Sequence, residues 1–126
     1  MCVIKKKFSI LSSELQNLVD DAILSFALGE ENEAENLLLN VLKKDGKNIE
    51  ALRAISEVSL SLNKLEDAES YCRQALAECS DDLTSLVSLA RILVRKGDKE
   101  GAEEASAKAR ILGWKEELNN DQSESF

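Results

Sequence analysis

The chain has no histidine and no proline, only five glycines, and aromatic residues make up just 4% of its 126 positions. The absence of histidine excludes a histidine-based catalytic triad and a histidine-ligated metal site. No glycine-rich phosphate loop is present. Close carboxylates do occur at helical spacing, Glu66 with Glu69 and Glu100 with Glu103 and Glu104. Solvated helix faces account for such groups without a bound ion. The chain is therefore expected to be no enzyme and to need neither cofactor nor metal.

Basic residues are also in the minority, 16 against 24 acidic, for a net charge of −8. A general nucleic-acid binder needs a basic surface against phosphates, so that class is not expected. No apolar stretch approaches the length of a membrane span, and Phe8 to Leu11 is too short for the core of a secretory signal. The three cysteines are an odd number and suggest a reducing compartment, so a cytoplasmic location is expected. Cys72 and Cys79 lie seven apart on one expected helix, about 10 Å along its axis and too far for a disulfide. Both read as small apolar core residues.

What the chain does contain is a repeat. Ile49 to Asp82 carries Leu52, Ile55, Ser56 and Ser59 on one helical stripe, a break at Asn63-Lys64, then Leu65, Ala68, Cys72, Ala75 and Leu76 on a second. Shifting by 34 residues in either direction brings the landmarks back: Ala34, Ala68 and Ala102; Ala22, Ser56 and Ala90; Gly29, Asn63 and Gly97. A fixed period of this length with small residues in register is the pattern of a helical solenoid, and it divides the chain into 15–48, 49–82 and 83–116. Residues 1–14 form an arm before the repeats and residues 117–126 a polar tail, expected to be mobile. The first two repeats are acidic and the third is basic.

Local signals place the helix ends. Ser13-x-x-Gln16 and Asn63-x-x-Glu66 read as capping boxes, and Asn48, Asp81 or Asp82, and Asp98 as N-caps. Gly29 is expected to end the first helix, which should run from about Glu14 to Leu28, and Gly113 the last. Trp114 and Leu118 are expected to fold back over the final helix pair. Glu30 to Glu35 precede one helix start and Lys43-Lys44 its end, as the helix dipole favours.

The pattern resembles the tetratricopeptide repeat family over Leu15 to Glu116. Leu18, Leu52 and Leu86 hold the fourth place of the family pattern, and Val41, Ala75 and Ala109 the twenty-seventh. The departures are Gly46, Ser80 and Trp114 where the family has proline, and Asp21 where the other copies have Ile55 and Leu89. The resemblance implies an all-α superhelix of three helix-turn-helix repeats whose first helices line a concave groove. It further implies that Val19, Ile23 and Phe26, Arg53, Glu57 and Leu60, and Val87, Arg91 and Val94 face the groove, with Arg95 at its rim.

Two readings of that groove stand side by side. In one, a partner peptide sets apolar side chains on Val19, Ile23 and Phe26 and acidic groups near Arg53, Arg91 and Arg95, whose planar forks suit carboxylates. In the other, the arginines form ordinary solvated pairs, for example Arg53 with Glu57, and the apolar trio is covered core. The carboxylate clamp of the family's chaperone-binding members is missing, because its places hold Val19, Ile23, Ala54, Thr84 and Ser88. The function implied is a non-catalytic protein-interaction module, an adaptor, scaffold or small chaperone like those of bacterial secretion systems, binding a protein or peptide but neither nucleic acid nor membrane. The alternative is a self-associating domain, monomer or homodimer, in which Val3, Ile4, Phe8 and Ile10 fill the groove of the same or a neighbouring chain.

Overall fold

A computed structural model describes the backbone of residues 10–124 and the side chains of residues 13–119. These residues form six helices in three antiparallel pairs: α1 (Ile10–Ala27) with α2 (Glu31–Lys44), α3 (Ile49–Ser61) with α4 (Leu65–Glu78), and α5 (Leu83–Lys96) with α6 (Lys99–Glu124). The first helices touch along the array, α1 with α3 and α3 with α5, whereas α2, α4 and α6 do not touch one another. Each later first helix thus meets both helices of the preceding repeat while the second helices stay apart, so the exposed sides of α1, α3 and α5 form the inner, concave face.

Small residues set how closely each pair packs. Ala22, Ser56 and Ala90 in the first helices and Ala34, Ala68 and Ala102 in the second are all buried. Ser56 shows the closeness directly, since its Oγ donates to the carbonyl oxygen of Ala68 across the pair at 3.2 Å. Apolar side chains fill the remaining space in two clusters. One joins Val19, Leu38, Val41, Ile55 and Val58 across the first two repeats. The other joins Leu60, Cys72, Leu89, Ile92 and Ala105 across the last two. Ser59 is fully buried too, and its hydroxyl has no hydrogen-bond partner among the described residues.

The turns inside the three pairs are one structure built three times. Gly29, Asn63 and Gly97 take φ of 84°, 61° and 84°, the left-handed region that lets a helix end and reverse. The amide after each reaches back five residues, Glu30 to Ser25, Lys64 to Ser59 and Asp98 to Leu93, at 2.8 to 2.9 Å. Asn63 is thus a helix terminator and not the start of a capping box; Lys64 is the N-cap of α4 and makes no side-chain cap bond. Asn48, Asp82 and Asp98 do cap, accepting from the amides of Ala51, Ser85 and Gly101 at 3.0, 3.2 and 3.0 Å.

Both ends of the array differ from expectation. Helix α1 begins at Ile10, so Ser13 lies inside it with no free amide to cap, and Gln16 donates to Asp20 instead. Residues 1–9, which include Val3, Ile4 and Phe8 of the expected arm, lie outside the described residues. At the other end α6 passes straight through Gly113 and continues to Glu124. An interior glycine weakens a helix without breaking it. Trp114 and Leu118 therefore stay on an overhanging helix, 63% and 60% exposed, and do not fold back. Asp21 is exposed, whereas Ile55 and Leu89 at the matching places are buried in the first and second core clusters.

Candidate interaction surface

The concave face is held by a set of bonds between consecutive repeats, and these engage most of its charges. Arg53 on α3 donates through Nε and Nη2 to both carboxylate oxygens of Asp82, at 2.8 and 2.5 Å. Asp82 is 8% exposed and is itself the N-cap of α5, accepting from the Ser85 amide and the Ser85 hydroxyl. Burial pushes its carboxyl pKa up, but the bonds from Arg53 and Ser85 outweigh that and hold it below the ordinary value. One turn along α3, Glu57 accepts from Ser88 at 2.6 Å and from both terminal nitrogens of Arg91 at 3.1 to 3.2 Å. Arg95 closes the row, donating to the Leu60 carbonyl at 3.1 Å and to Asn63 Oδ1 at 2.8 Å.

The residues expected to line the groove therefore divide. Val19 and Leu60 are core, fully and nearly fully buried, and leave no side chain for a ligand. Phe26 is half-buried against the first core cluster. Arg53 and Glu57 are half-buried and engaged across repeats, and the Arg53–Glu57 pair expected within α3 does not form. Asp82 takes Arg53 because a cap carboxylate is already fixed in place and mostly out of water. Ile23, Val87 and Val94 remain as apolar side chains 52%, 45% and 66% exposed, with Arg91 and Arg95 exposed beside the last two.

Two features lay outside the sequence reading. On the outer flank, Lys64 donates to both oxygens of Glu35 at 2.8 and 3.0 Å, and Lys96 donates to Glu69 at 2.6 Å and to Glu66. Glu35 and Glu69 are 34 residues apart, so the repeat pattern contained this signal, although neither lysine follows that spacing. The hydrogen bonds they donate to these glutamates raise the pKa of both lysines, and those from Lys96 and Arg73 lower that of Glu69. The second feature is exposed apolar surface at the two ends, Leu24 on α1 and Leu28 in the turn after it, and Ile111, Trp114 and Leu118 on α6.

The cysteines are not alike. Cys72 is a buried free thiol whose Sγ donates to the Ser85 carbonyl at 3.0 Å, and burial pushes its pKa up to about 11. Cys79 is also buried, as expected of a core residue, but it is disulfide-bonded, which departs from the expectation of a reducing compartment. Among the described residues no group of three or more cysteines and carboxylates is placed to hold a metal, and no helix is long and apolar enough to cross a membrane.

The architecture is that of a tetratricopeptide-repeat solenoid. The second such domain of Spaghetti (RPAP3), solved with an HSP90 peptide, superposes with a TM-score of 0.75 at 18% identity, covering 78% of this chain and 91% of that one. The Yersinia enterocolitica type III secretion translocator chaperone SycD superposes with a TM-score of 0.77 at 16% identity, over 84% and 72% of the two chains. An O-GlcNAc transferase of Thermobaculum terrenum reaches 0.79 at 20% identity, but the match spans 20% of that protein. No protein-family model and no curated protein sequence matches the chain.

Proposed function

We propose that this chain is a non-catalytic protein-interaction module that holds a segment of a partner protein against its concave face. The supporting observation is the character of that face: Ile23, Val87 and Val94 are exposed on it while the neighbouring charges are engaged between repeats. Exposed apolar side chains on a face stiffened by inter-repeat bonds suit a preorganised binding surface, since little side-chain order is lost on binding. The contacts are Ile23, Phe26, Val87 and Val94, with Arg91 and Arg95 favouring acidic groups beside them. Arg53 holds the frame and does not grip ligand, because both its bonds go to Asp82.

Two of the similar structures are interaction domains by their descriptions, one bound to an HSP90 peptide and one a secretion chaperone. The ligand here is of a different kind from a C-terminal carboxylate tail, because Val19, Ile23, Ala54, Thr84 and Ser88 occupy the places of the clamp.

The test is a peptide-display selection on the full chain, followed by affinity measurement for the enriched peptides on Ile23→Glu and Val87→Glu. Loss of binding in both, with unchanged thermal unfolding, supports the concave site. Undiminished binding in both would sink it. Light scattering on the full chain and on one lacking residues 1–11 addresses the rival: a dimer that becomes monomeric on truncation means the arm of a neighbour occupies the groove.

A further inference from the structure

The C-terminal end of the array holds an open cleft of about 510 Å³ between α5 and α6. Its lining repeats, 34 residues on, the surface of repeat two that α5 covers. Val94 and Gly97 stand where Leu60 and Asn63 receive Arg95. Ala102 and Glu103 stand where Ala68 packs against α5 and Glu69 receives Lys96. Ser106 takes the place of Cys72, which bonds the Ser85 carbonyl, and Arg110 that of Leu76. The cleft is thus a third copy of a helix seat that is filled twice within the chain, by α3 on α2 and by α5 on α4.

The seat's charges also repeat. In both filled copies a lysine at or just beyond the C-terminal end of the incoming helix bonds the same glutamate position, Lys64 on Glu35 and Lys96 on Glu69. Glu103 is the third member, and among the described residues neither it nor Glu100 has a hydrogen-bond or ion-pair partner. The α4–α5 packing is antiparallel, Lys96 meeting the start of α4 and Ser85 its later turns. A helix seated likewise on α6 sets its C-terminal turn at Glu103 and its N-terminal turn at Arg110. Trp114 follows Glu103 by eleven residues, about three turns, and so continues the same stripe along the overhang.

We propose that this end of the solenoid is a second docking site, adjoining the concave face at Val94, that takes an amphipathic helix of a partner protein. Its occupant has an acidic first turn for Arg110, an apolar stripe for Val94, Ala102 and Trp114, and a basic last turn for Glu103. This is the polarity the helix dipole favours, and docking follows the helix-in-groove mode. A second copy stacked head to tail is disfavoured by charge. The exposed edge of α1 has no basic residue in its last turn to meet Glu103, and it carries Asp21 where Ile55 and Leu89 are buried.

The probe is a synthetic peptide of this chain's own Asp82–Gly97, which has the required acid, stripe and Lys96, added to the full-length protein. Binding is read by peptide anisotropy and by the emission of Trp114, the only tryptophan. Saturable binding with a blue shift of Trp114 is expected. Glu103→Lys should weaken it roughly tenfold, and a peptide carrying Lys96→Glu should recover binding to that variant. Ile23→Glu should leave it unchanged, which separates this site from the concave one. No binding, or equal affinity for wild type and Glu103→Lys, overturns the proposal. A mass that rises with concentration without peptide and is abolished by Glu103→Lys overturns the choice of occupant, since the seat would then hold a second copy.

Discussion

Truncating Asp82 to alanine removes two supports at once, because one carboxylate both starts α5 and binds Arg53 of the preceding repeat. Loss of an N-cap costs about 1 kcal/mol. Loss of a charge-assisted, bidentate bond to a half-buried guanidinium adds about 1 to 2 kcal/mol. The sum, about 2 to 3 kcal/mol, is a sizeable part of the ~5 to 15 kcal/mol that holds a typical domain folded. Asp82→Asn keeps a capping oxygen and should lose only about half as much. Arg53→Ala leaves a carboxylate that is 8% exposed without its cation, and should cost about 2 kcal/mol. The measurement is urea unfolding at neutral pH, followed by far-ultraviolet circular dichroism, on wild type, the three single variants and the double variant Asp82→Ala with Arg53→Ala. A coupling energy of about 1 to 2 kcal/mol is expected, since each partner loses value once the other is gone. Coupling below about 0.3 kcal/mol would refute the reasoning, for it would mean the pair is no more than a solvated contact.

Acid should destabilise the chain through Asp82 and Glu69, whose folded pKa values lie below the ordinary 3.8 and 4.5. Their stabilisation is complete above those values and is lost as pH falls through the lowered folded ones, so the melting temperature should hold from neutral pH to about 5 and then drop. Lys64 and Lys96, raised above 10.5, act in the opposite sense, and what they contribute disappears only as pH rises beyond that value. Cys72 should escape alkylation by iodoacetamide in the native chain at pH 8, because its thiol is buried with a pKa near 11, and should react once urea unfolds the protein; peptide mass mapping reads both. Gly97→Ala should cost about 1 kcal/mol in urea unfolding. A β-carbon there meets nothing within 4 Å, so the whole cost lies in a backbone held at φ 84°.

The candidate surface was legible in part. The trios at i, i+4 and i+7 lie on α1, α3 and α5, and of their members Ile23, Val87, Arg91 and Val94 are exposed. Val19 and Leu60 fell within the same spacing but are core, because a helix crossing a neighbour on two sides buries a wider arc than a single contact would. Arg53 was assigned to Glu57, the partner nearest in sequence, yet it bonds Asp82, 29 residues away. No i, i+4 rule contains that distance, since it exists only once one repeat is stacked on the next.

Sequence by itself determined the features that depend on neighbours along the chain. The 34-residue period specified three helix pairs, the small residues specified which faces meet, and Gly29, Asn63 and Gly97 specified the reversals, because a left-handed residue ends a helix wherever it stands. Asn48, Asp82 and Asp98 specified helix starts for the same reason: a cap reaches only its own first turn. Tertiary structure alone decided which charges are engaged between repeats, which apolar side chains remain exposed, and that α6 runs on past Gly113. These depend on helices brought together from 27 to 35 residues apart. The seat at Glu103 belongs to both levels, its residues written into the repeat and their convergence on one cleft set by the packing of α6 against α5.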